Sequence, residues 1–450
     1  MVCQSVILAA GHGTRMNSKL PKVLHHLAGR PMLVWVAEAC RQSTGRPPVI
    51  VVGPEDAEIQ QAVPDARWAR QEERLGTGHA LRQAEGAAGE EPNCILVVNG
   101  DMPLLSAATL TRLVETQEAN SGPLSLLTVE TDDPRGFGRI LRDARGRVSG
   151  VVEQAHATPE QLESRELNAG VYCFRADWLW SHLPGLELSP KGEYYATDLV
   201  GIAAQAGEPV VAVLGEDSAE FIGVNTRVHL AEAEEALRRR INTHWMEHGV
   251  TLQDPRTTYI EADAVLEPDS IVLANTHVEG RSHIGEGSLI GPNTVIRDTT
   301  IGPRCRVEAS VLEGAELAEE VHIGPFGHLR EGAHLGPRVH LGNFGEVKNS
   351  TLKAGVKMGH FSYIGDANVG ADVNIGAGTI TCNFDGVKKN KTDIGEGAFI
   401  GSDTMLVAPL RVGKGSRTGA GSVVTKDVPD HALAVGMPAR VVRRLKDTDG

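Results

Sequence analysis

Apolar residues are arranged in two different ways along this chain. Up to about residue 225 they come in short runs, and past about residue 250 they come singly, six positions apart. The runs Ser5–Ala10, Pro48–Val52, Cys94–Val98 and Leu124–Val129 predict buried strands, and the stretches Met32–Arg41 and Gly78–Ala88 predict helices between them. Strand and helix in alternation predict an α/β sheet with helices on its faces. Residues 226–248 predict a linker helix. Val228, Leu230, Ala233, Leu237, Ile241 and Trp245 form its apolar stripe, and Glu232, Glu234, Glu235 and Arg238–Arg240 its polar surface.

Beyond that helix the period changes. Val272, Val278, Ile284, Ile290 and Ile296 form one series, Ile323, Leu329, Leu335, Leu341 and Val347 a second, and Ile394, Ile400, Leu406 and Val412 a third. A six-residue repeat suits neither a helix nor a simple alternating strand; it predicts a parallel β-helix of hexapeptide repeats over 249–450. The repeats are expected to begin near Val265, to slip near Thr299–Ile301 and between Asn349 and Gly359, and to be interrupted at Asn383–Asp393. That insertion carries Lys388, Lys389 and Lys391, and polar insertions in solenoids project as loops, often on the working face. The 51 glycines crowd into this half, where tight corners are expected to need positive φ.

Length and composition fit two or three packed domains: 450 residues, 41% of them hydrophobic. A net charge of −14 argues against a nucleic-acid footprint, so any bound anion must be held by local amides and a few placed cations. The six cysteines, Cys3, Cys40, Cys94, Cys173, Cys305 and Cys382, have no metal-ligand spacing and read as small buried residues without disulfides. No long apolar stretch or charged leader is present, which points to a cytoplasmic protein with no membrane partner.

The first candidate site follows the first strand. Leu8-Ala9-Ala10-Gly11-His12-Gly13-Thr14-Arg15 brings backbone amides and a guanidinium to one turn, with Pro21-Lys22 close behind, which suits a phosphate. It has neither the ending of a P-loop nor the third glycine of a Rossmann fingerprint. Asn99-Gly100-Asp101 follows a second strand, at the carboxyl end where α/β sheets bind ligands. These motifs resemble the sugar-phosphate nucleotidyltransferases. The resemblance continues through Gln71, Gly76-Thr77, Gly138, Glu153, Asn168 and Asn225. It implies a Rossmann-like nucleotidyltransferase domain over 1–225 that binds UTP and the UDP-sugar through Leu8, Ala9, Ala10, Gly11, Lys22, Gln71, Gly76, Thr77, Asn99, Gly100, Asp101, Gly138, Glu153, Asn168 and Asn225. Arg15 and Lys22 would serve the phosphates, and Asp101 with Asn225 would hold Mg²⁺.

In the second half, Gly359-His360-Phe361-Ser362-Tyr363, Asn374-Ile375-Gly376-Ala377 and Cys382-Asn383-Phe384 stand out as polar constellations near breaks in the rhythm, whereas His277, His283, His322, His334 and His340 read as outward faces of regular coils. Together with the first half they resemble, over essentially the whole chain, the bifunctional uridylyltransferase/acetyltransferases that make UDP-N-acetylglucosamine. That resemblance implies a left-handed β-helix, with His360 as general base for acetyl transfer from acetyl-CoA to glucosamine 1-phosphate. Arg330, Lys348, Tyr363 and Asn374 would bind the acceptor, and Ala377, Asn383, Phe384, Ser402 and Ala420 the acetyl-CoA. It also implies uridylyl transfer from UTP to N-acetylglucosamine 1-phosphate, a homotrimer, a bacterial source and a place upstream of peptidoglycan. Two positions depart from the family pattern: Phe384 stands where a tyrosine is usual, and Met437 where a basic residue often contacts coenzyme A, with Arg440 nearby. Two other readings stay open at this stage: a single-activity nucleotidyltransferase with a regulatory β-helix, and a non-catalytic scaffold.

Overall fold

The computed structural model describes residues 2–54, 57–89, 92–131 and 133–444. The chain divides into two compact units, 1–237 and 238–450. Helix Arg227–Glu247 contributes residues to both.

In the first unit a mixed sheet runs, in spatial order, Val210–Leu214, Leu124–Glu130, Glu166–Arg175, Cys94–Asn99, Cys3–Leu8, Val49–Val52 and Arg67–Arg70. Cys3–Leu8 is parallel to both its neighbours, while Glu166–Arg175 runs antiparallel to both of its neighbours in this order and to Arg139–Arg142. The predicted apolar runs are these interior strands, with Val6, Ile7, Ile50, Leu96 and Leu126 all fully buried. One apolar core covers each face of the sheet, as a sheet buried on both sides requires. The two predicted helices are Met32–Thr44, which Gly45 ends in the left-handed conformation, and the shorter Thr77–Gln83; Ala107–Ala119, Ala176–His182 and Asp198–Gln205 are among the others.

The long helix starts within one residue of its expected position, but its stripe is incomplete. Ala233 and Leu237 are buried whereas Val228 is 66% exposed, so the first turn is solvated. In the first unit Glu234 accepts from the Ala28 amide (2.9 Å) and Glu232 from Arg135 (2.8 Å). In the second unit Asn242 donates to the carbonyls of Pro255 and Thr258, and Ile241 and Trp245 pack on the β-helix core.

That β-helix has three faces of parallel strands, which begin at Thr251–Leu252, Thr258–Ile260 and Val265–Leu266. Every residue of the three six-spaced series points inward and is buried. A second inward position went unread in the sequence. Ser270, Thr276, Ser282, Ser288 and Thr294, each two residues before an aliphatic, are equally buried, and Ser270 and Ser282 turn their hydroxyls back onto backbone carbonyls. The repeat therefore starts at Thr251 rather than Val265. The first corner is longer, and Asp254 organises it by accepting from the Arg256 amide and the Thr258 hydroxyl.

The slips in rhythm are corners one residue short. Ile271 pairs with Leu289, but His283 pairs with Thr300, and Ala333 with Ser350. Asp298 and Asn349 turn these short corners at positive φ. The break thus lies at Asn349, and His360 sits on a corner of ordinary length. Of the glycines that follow inward aliphatics, Gly291 and Gly324 have the expected positive φ, but others do not. At Gly285 and Gly376 φ is ordinary, and an added Cβ would come within 2.6 Å and 2.5 Å of the next coil's backbone. Close stacking of coils, rather than a left-handed turn, selects glycine there.

Candidate functional sites

In the first unit the sheet's geometry gathers side chains from distant parts of the chain. Leu8 and Asn99 are directly paired strand ends, so the glycine loop and Asp101 emerge side by side. The Gly100 amide donates to the Leu8 carbonyl (2.9 Å), and the Val224 amide donates to that of Asp101 (2.9 Å), which brings Asn225 in as well. Four charged or polar groups then converge. Lys22 Nζ lies 2.5 Å from Asp101 Oδ2 and donates to Asn225 Oδ1 (3.1 Å), which also accepts from Arg15 Nη2 (2.9 Å). Gly13 makes this possible. It has φ +62°, and a Cβ there would fall 2.5 Å from Lys22 Cβ. A Cβ at Gly11 would meet nothing within 4 Å, because its backbone faces open space.

Two cavities adjoin at this point and share Leu8, Thr77, Asn99, Asp101 and Tyr195. One, of about 390 Å³, is lined by Ala9, Ala10, Gly11, Lys22, Gln71 and Gly76. The other, of about 330 Å³, is lined by Gly138, Glu153, Asn168 and Asn225. Apart from Arg15 and Gly100, which pack beside them, every sequence-predicted residue of this half lines one or the other. Gln71 donates to the Gly76 carbonyl (3.1 Å), and Gly76 at φ +94° lies against the Tyr194 backbone. Asn168 donates to the Tyr172 hydroxyl (2.7 Å) and accepts from the Gly170 amide. Burial raises the pKa of Glu153, while a hydrogen bond from Thr197 (3.2 Å) opposes the rise.

Three residues were not singled out beforehand. Thr197 and Tyr195 carry no motif and enter only through the fold. Arg74 lies inside the Gln71–Thr77 segment; it donates from Nε to the Ala10 carbonyl (2.6 Å) and from Nη1 to His12 Nε2 (2.9 Å), which latches the glycine loop.

In the second unit the expected residues divide into two groups, at opposite edges of one face of the β-helix. Its strands include Gly345–Lys348, Ser362–Gly365, Ile380–Cys382 and Met405–Val407. His360, Ala377, Ser402 and Ala420 each follow a glycine on the corner before these strands. They form one ladder along that corner, where the Asp403 amide donates to the Ala377 carbonyl (2.6 Å) and the Gly421 amide to that of Ser402 (2.8 Å). Asn374 enters the same corner from the neighbouring face, paired with Lys357 and Phe399. His360 is exposed.

Lys348 ends its strand at the other edge, where Arg330, Asn383 and Phe384 lie just past the ends of theirs. Arg330 donates to Glu346 (3.0 Å). Lys389, on the inserted loop, faces Lys348, and the pair of like charges, with Arg330 adding to it, lowers the pKa of Lys348. Buried Asp366 ties the two corners here by accepting from Asn349 and Asn383 (2.5 Å each), so Asn383 is a brace and Phe384 beside it is exposed. Asp385 organises the loop with its carboxylate held down at about 2, chiefly by the Lys388 amide. Tyr363 lies between the groups, opposite Glu346, and a Cβ on Gly365 would fall 2.3 Å from its hydroxyl oxygen. Of these residues Lys389 was noted only as part of a basic loop; nothing in its spacing ties it to Lys348.

Comparisons with known proteins follow the same division. The MobA-like NTP transferase domain matches residues 5–175. The bacterial transferase hexapeptide (six repeats) matches 263–298, and the hexapeptide repeat of succinyl-transferase matches 391–426. The chain is 45% identical to the bifunctional protein GlmU of Pelobacter propionicus, over 98% of this chain and 96% of that one. It belongs to the GlmU family. GlmU proteins of Trichlorobacter lovleyi and Heliobacterium modesticaldum are 45% and 46% identical, over 98% and 96% of this chain and 97% and 94% of theirs. GlmU homologues are bifunctional uridylyltransferase/acetyltransferases of UDP-N-acetylglucosamine synthesis, and the two halves of the chain match both activities. Among the described residues no helix is long and apolar enough to cross a membrane.

Proposed function

We propose that the first unit transfers the uridylyl group at the meeting point of its two cavities, and that the β-helix transfers the acetyl group along the face bearing Tyr363. The convergence of Arg15, Lys22, Asp101 and Asn225 carries the first assignment. UTP takes the cavity beside the glycine loop, with its triphosphate against the Gly11 backbone, Arg15 and Lys22. N-acetylglucosamine 1-phosphate takes the cavity of Glu153 and Asn168. Its phosphate oxygen attacks the α-phosphorus, the bond to the β-phosphate oxygen breaks, and pyrophosphate leaves. Both reactants are anionic, so the residues align them and neutralise charge rather than move protons.

Asp101 and Asn225 already turn two oxygens toward one cationic point, the Lys22 ammonium, and a hard oxygen-liganded ion such as Mg²⁺ suits that pair. When bound, it would supply further charge neutralisation at the phosphates. Lys22 would then be free to turn to the triphosphate.

In acetyl transfer, glucosamine 1-phosphate places its phosphate among Arg330, Lys348 and Lys389, with its sugar toward Tyr363 and Asn374. His360, exposed and therefore accessible, takes a proton from the 2-amino group as the nitrogen attacks the thioester carbon and coenzyme A leaves as the thiol. Acetyl-CoA runs along Ala377, Ser402 and Ala420. The second edge, with Asn383 and Phe384, reaches that ladder when an adjacent chain contributes it, which is what a cytoplasmic homotrimer with left-handed coils would do. Phe326, Phe344 and Phe361, more than half exposed on the corner that bears His360, give such an interface apolar surface.

A direct test measures both half-reactions separately in His360→Ala. Loss of acetyl transfer with UTP-dependent pyrophosphate release intact is expected; equal loss of both would count against two sites.

A further inference from the structure

Cys3, Cys94 and Cys173 are 170 residues apart at the extremes, yet the sheet sets them side by side. Cys3 is paired directly with Cys94, and the neighbouring antiparallel strand brings Cys173 opposite Leu96. Their sulfurs all lie within 4.8 Å of one another, and all three residues are buried in the core that also holds Leu96, Leu110 and Leu113. All three are free thiols. The site lies at the end of the sheet away from Leu8 and Asn99, so the proposed chemistry does not use it.

We infer that these three thiols form a buried three-sulfur site for a trivalent thiophilic element, with arsenite as the simplest aqueous source. A trivalent atom about 2.3 Å from each sulfur, seated above their plane with S–As–S angles of about 100°, holds them about 3.5 Å apart, inside the 4.8 Å within which all three lie. Charge decides among the soft ions. Zinc needs a fourth ligand, and among the described residues no carboxylate or imidazole joins the three sulfurs. A monovalent ion on three thiolates leaves two net negative charges in an apolar core, which is costly. A trivalent element on three thiolates is neutral.

The exchange balances without a redox partner. Three S–H bonds and three As–OH bonds break, three As–S bonds form, and the three protons leave with the three hydroxyls as water. Entry is by way of Cys3, next to exposed Val2.

The test is native mass spectrometry of the full-length protein, kept reduced with a phosphine and titrated with arsenite. One adduct is expected, with one arsenic gained and three hydrogens lost, together with a higher unfolding temperature, because the triad exists only in the folded sheet. Cys94→Ala should weaken capture at least tenfold and convert any residual adduct to one that loses two hydrogens and keeps a hydroxyl. Cys40→Ala, which removes a buried thiol outside the triad, should change neither. Retained uridylyl transfer verifies folding, and Cys173→Ser provides the same readout if Cys94→Ala does not fold. The inference is overturned by an unchanged adduct in the triad variants, by no adduct on the folded protein, or by a fall in unfolding temperature with arsenite.

Discussion

The two units assemble polar chemistry in opposite ways. In the mixed sheet, strand ends far apart in sequence emerge together, so Lys22, Asp101 and Asn225 touch within one chain. In the β-helix, equivalent positions of successive coils stack into ladders, and residues on different corners stay apart. His360, Ala377, Ser402 and Ala420 share one edge of a face, while Arg330, Lys348, Lys389 and Asn383 share the other. A sheet of this kind can close a site by itself. On the proposed function, the solenoid displays two half-sites that a second copy would join.

The sharpest way to break this contrast is to remove one group from each unit. His360→Ala should lower acetyl transfer by about 10²–10⁴-fold and leave uridylyl transfer unchanged. Asp101→Ala should do the reverse, abolishing UTP-dependent pyrophosphate release while acetyl-CoA consumption continues. Cross-effects in correctly folded variants would mean that the units are not chemically independent.

A smaller effect is expected where a glycine only makes room. In Gly13→Ala the new Cβ must displace Lys22 from a backbone already at positive φ, so uridylyl kcat should fall more than tenfold with acetyl transfer untouched. Gly365→Ala is its counterpart in the β-helix. Pushing the Tyr363 ring aside should raise the KM for glucosamine 1-phosphate several-fold and change kcat less, because the general base stays in place. Steady-state kinetics of both reactions reads each outcome. A larger effect from Gly365→Ala than from Gly13→Ala would reverse the expected order.

The mildest prediction concerns pH. A carboxylate whose pKa is raised protonates while ordinary carboxylates are still ionised. If Glu153 binds the sugar as the anion, the KM for N-acetylglucosamine 1-phosphate should climb as pH falls, beginning above the usual carboxylate value of 4.5. Thr197→Val removes the hydrogen bond that restrains the shift and should move that onset to higher pH. A KM that stays flat down to the ordinary range would remove Glu153 from the sugar site.

The parts of this molecule that were legible in its sequence are those whose physics is local or periodic. Ile284 and Ile290 announce an inward face because every coil repeats it, and Gly11-His12-Gly13-Thr14-Arg15 announces a phosphate turn because the whole motif lies in one loop. Ser282 and Ser288 were equally inward but escaped notice, since a hydroxyl in a repeat reads as a turn until its carbonyl partner is seen. Thr197, Arg74 and the cysteine triad depend on sheet register and on long-range packing, which no local pattern encodes. The break at Asn349 was visible, but its effect on His360 was misplaced, because a one-residue deletion shows only which coil is short and not which corner.

The central claim is that the β-helix carries half-sites completed between chains, and complementation tests it most directly. His360→Ala and Lys348→Ala chains, each inactive in acetyl transfer alone, would be co-expressed with different tags and purified through both. In a mixed trimer of either composition, one of the three junctions pairs an intact His360 edge with an intact Lys348 edge, so about one third of the wild-type acetyl transfer should return. Mixed trimers as inactive as their parents would place the whole site within one chain and contradict the account.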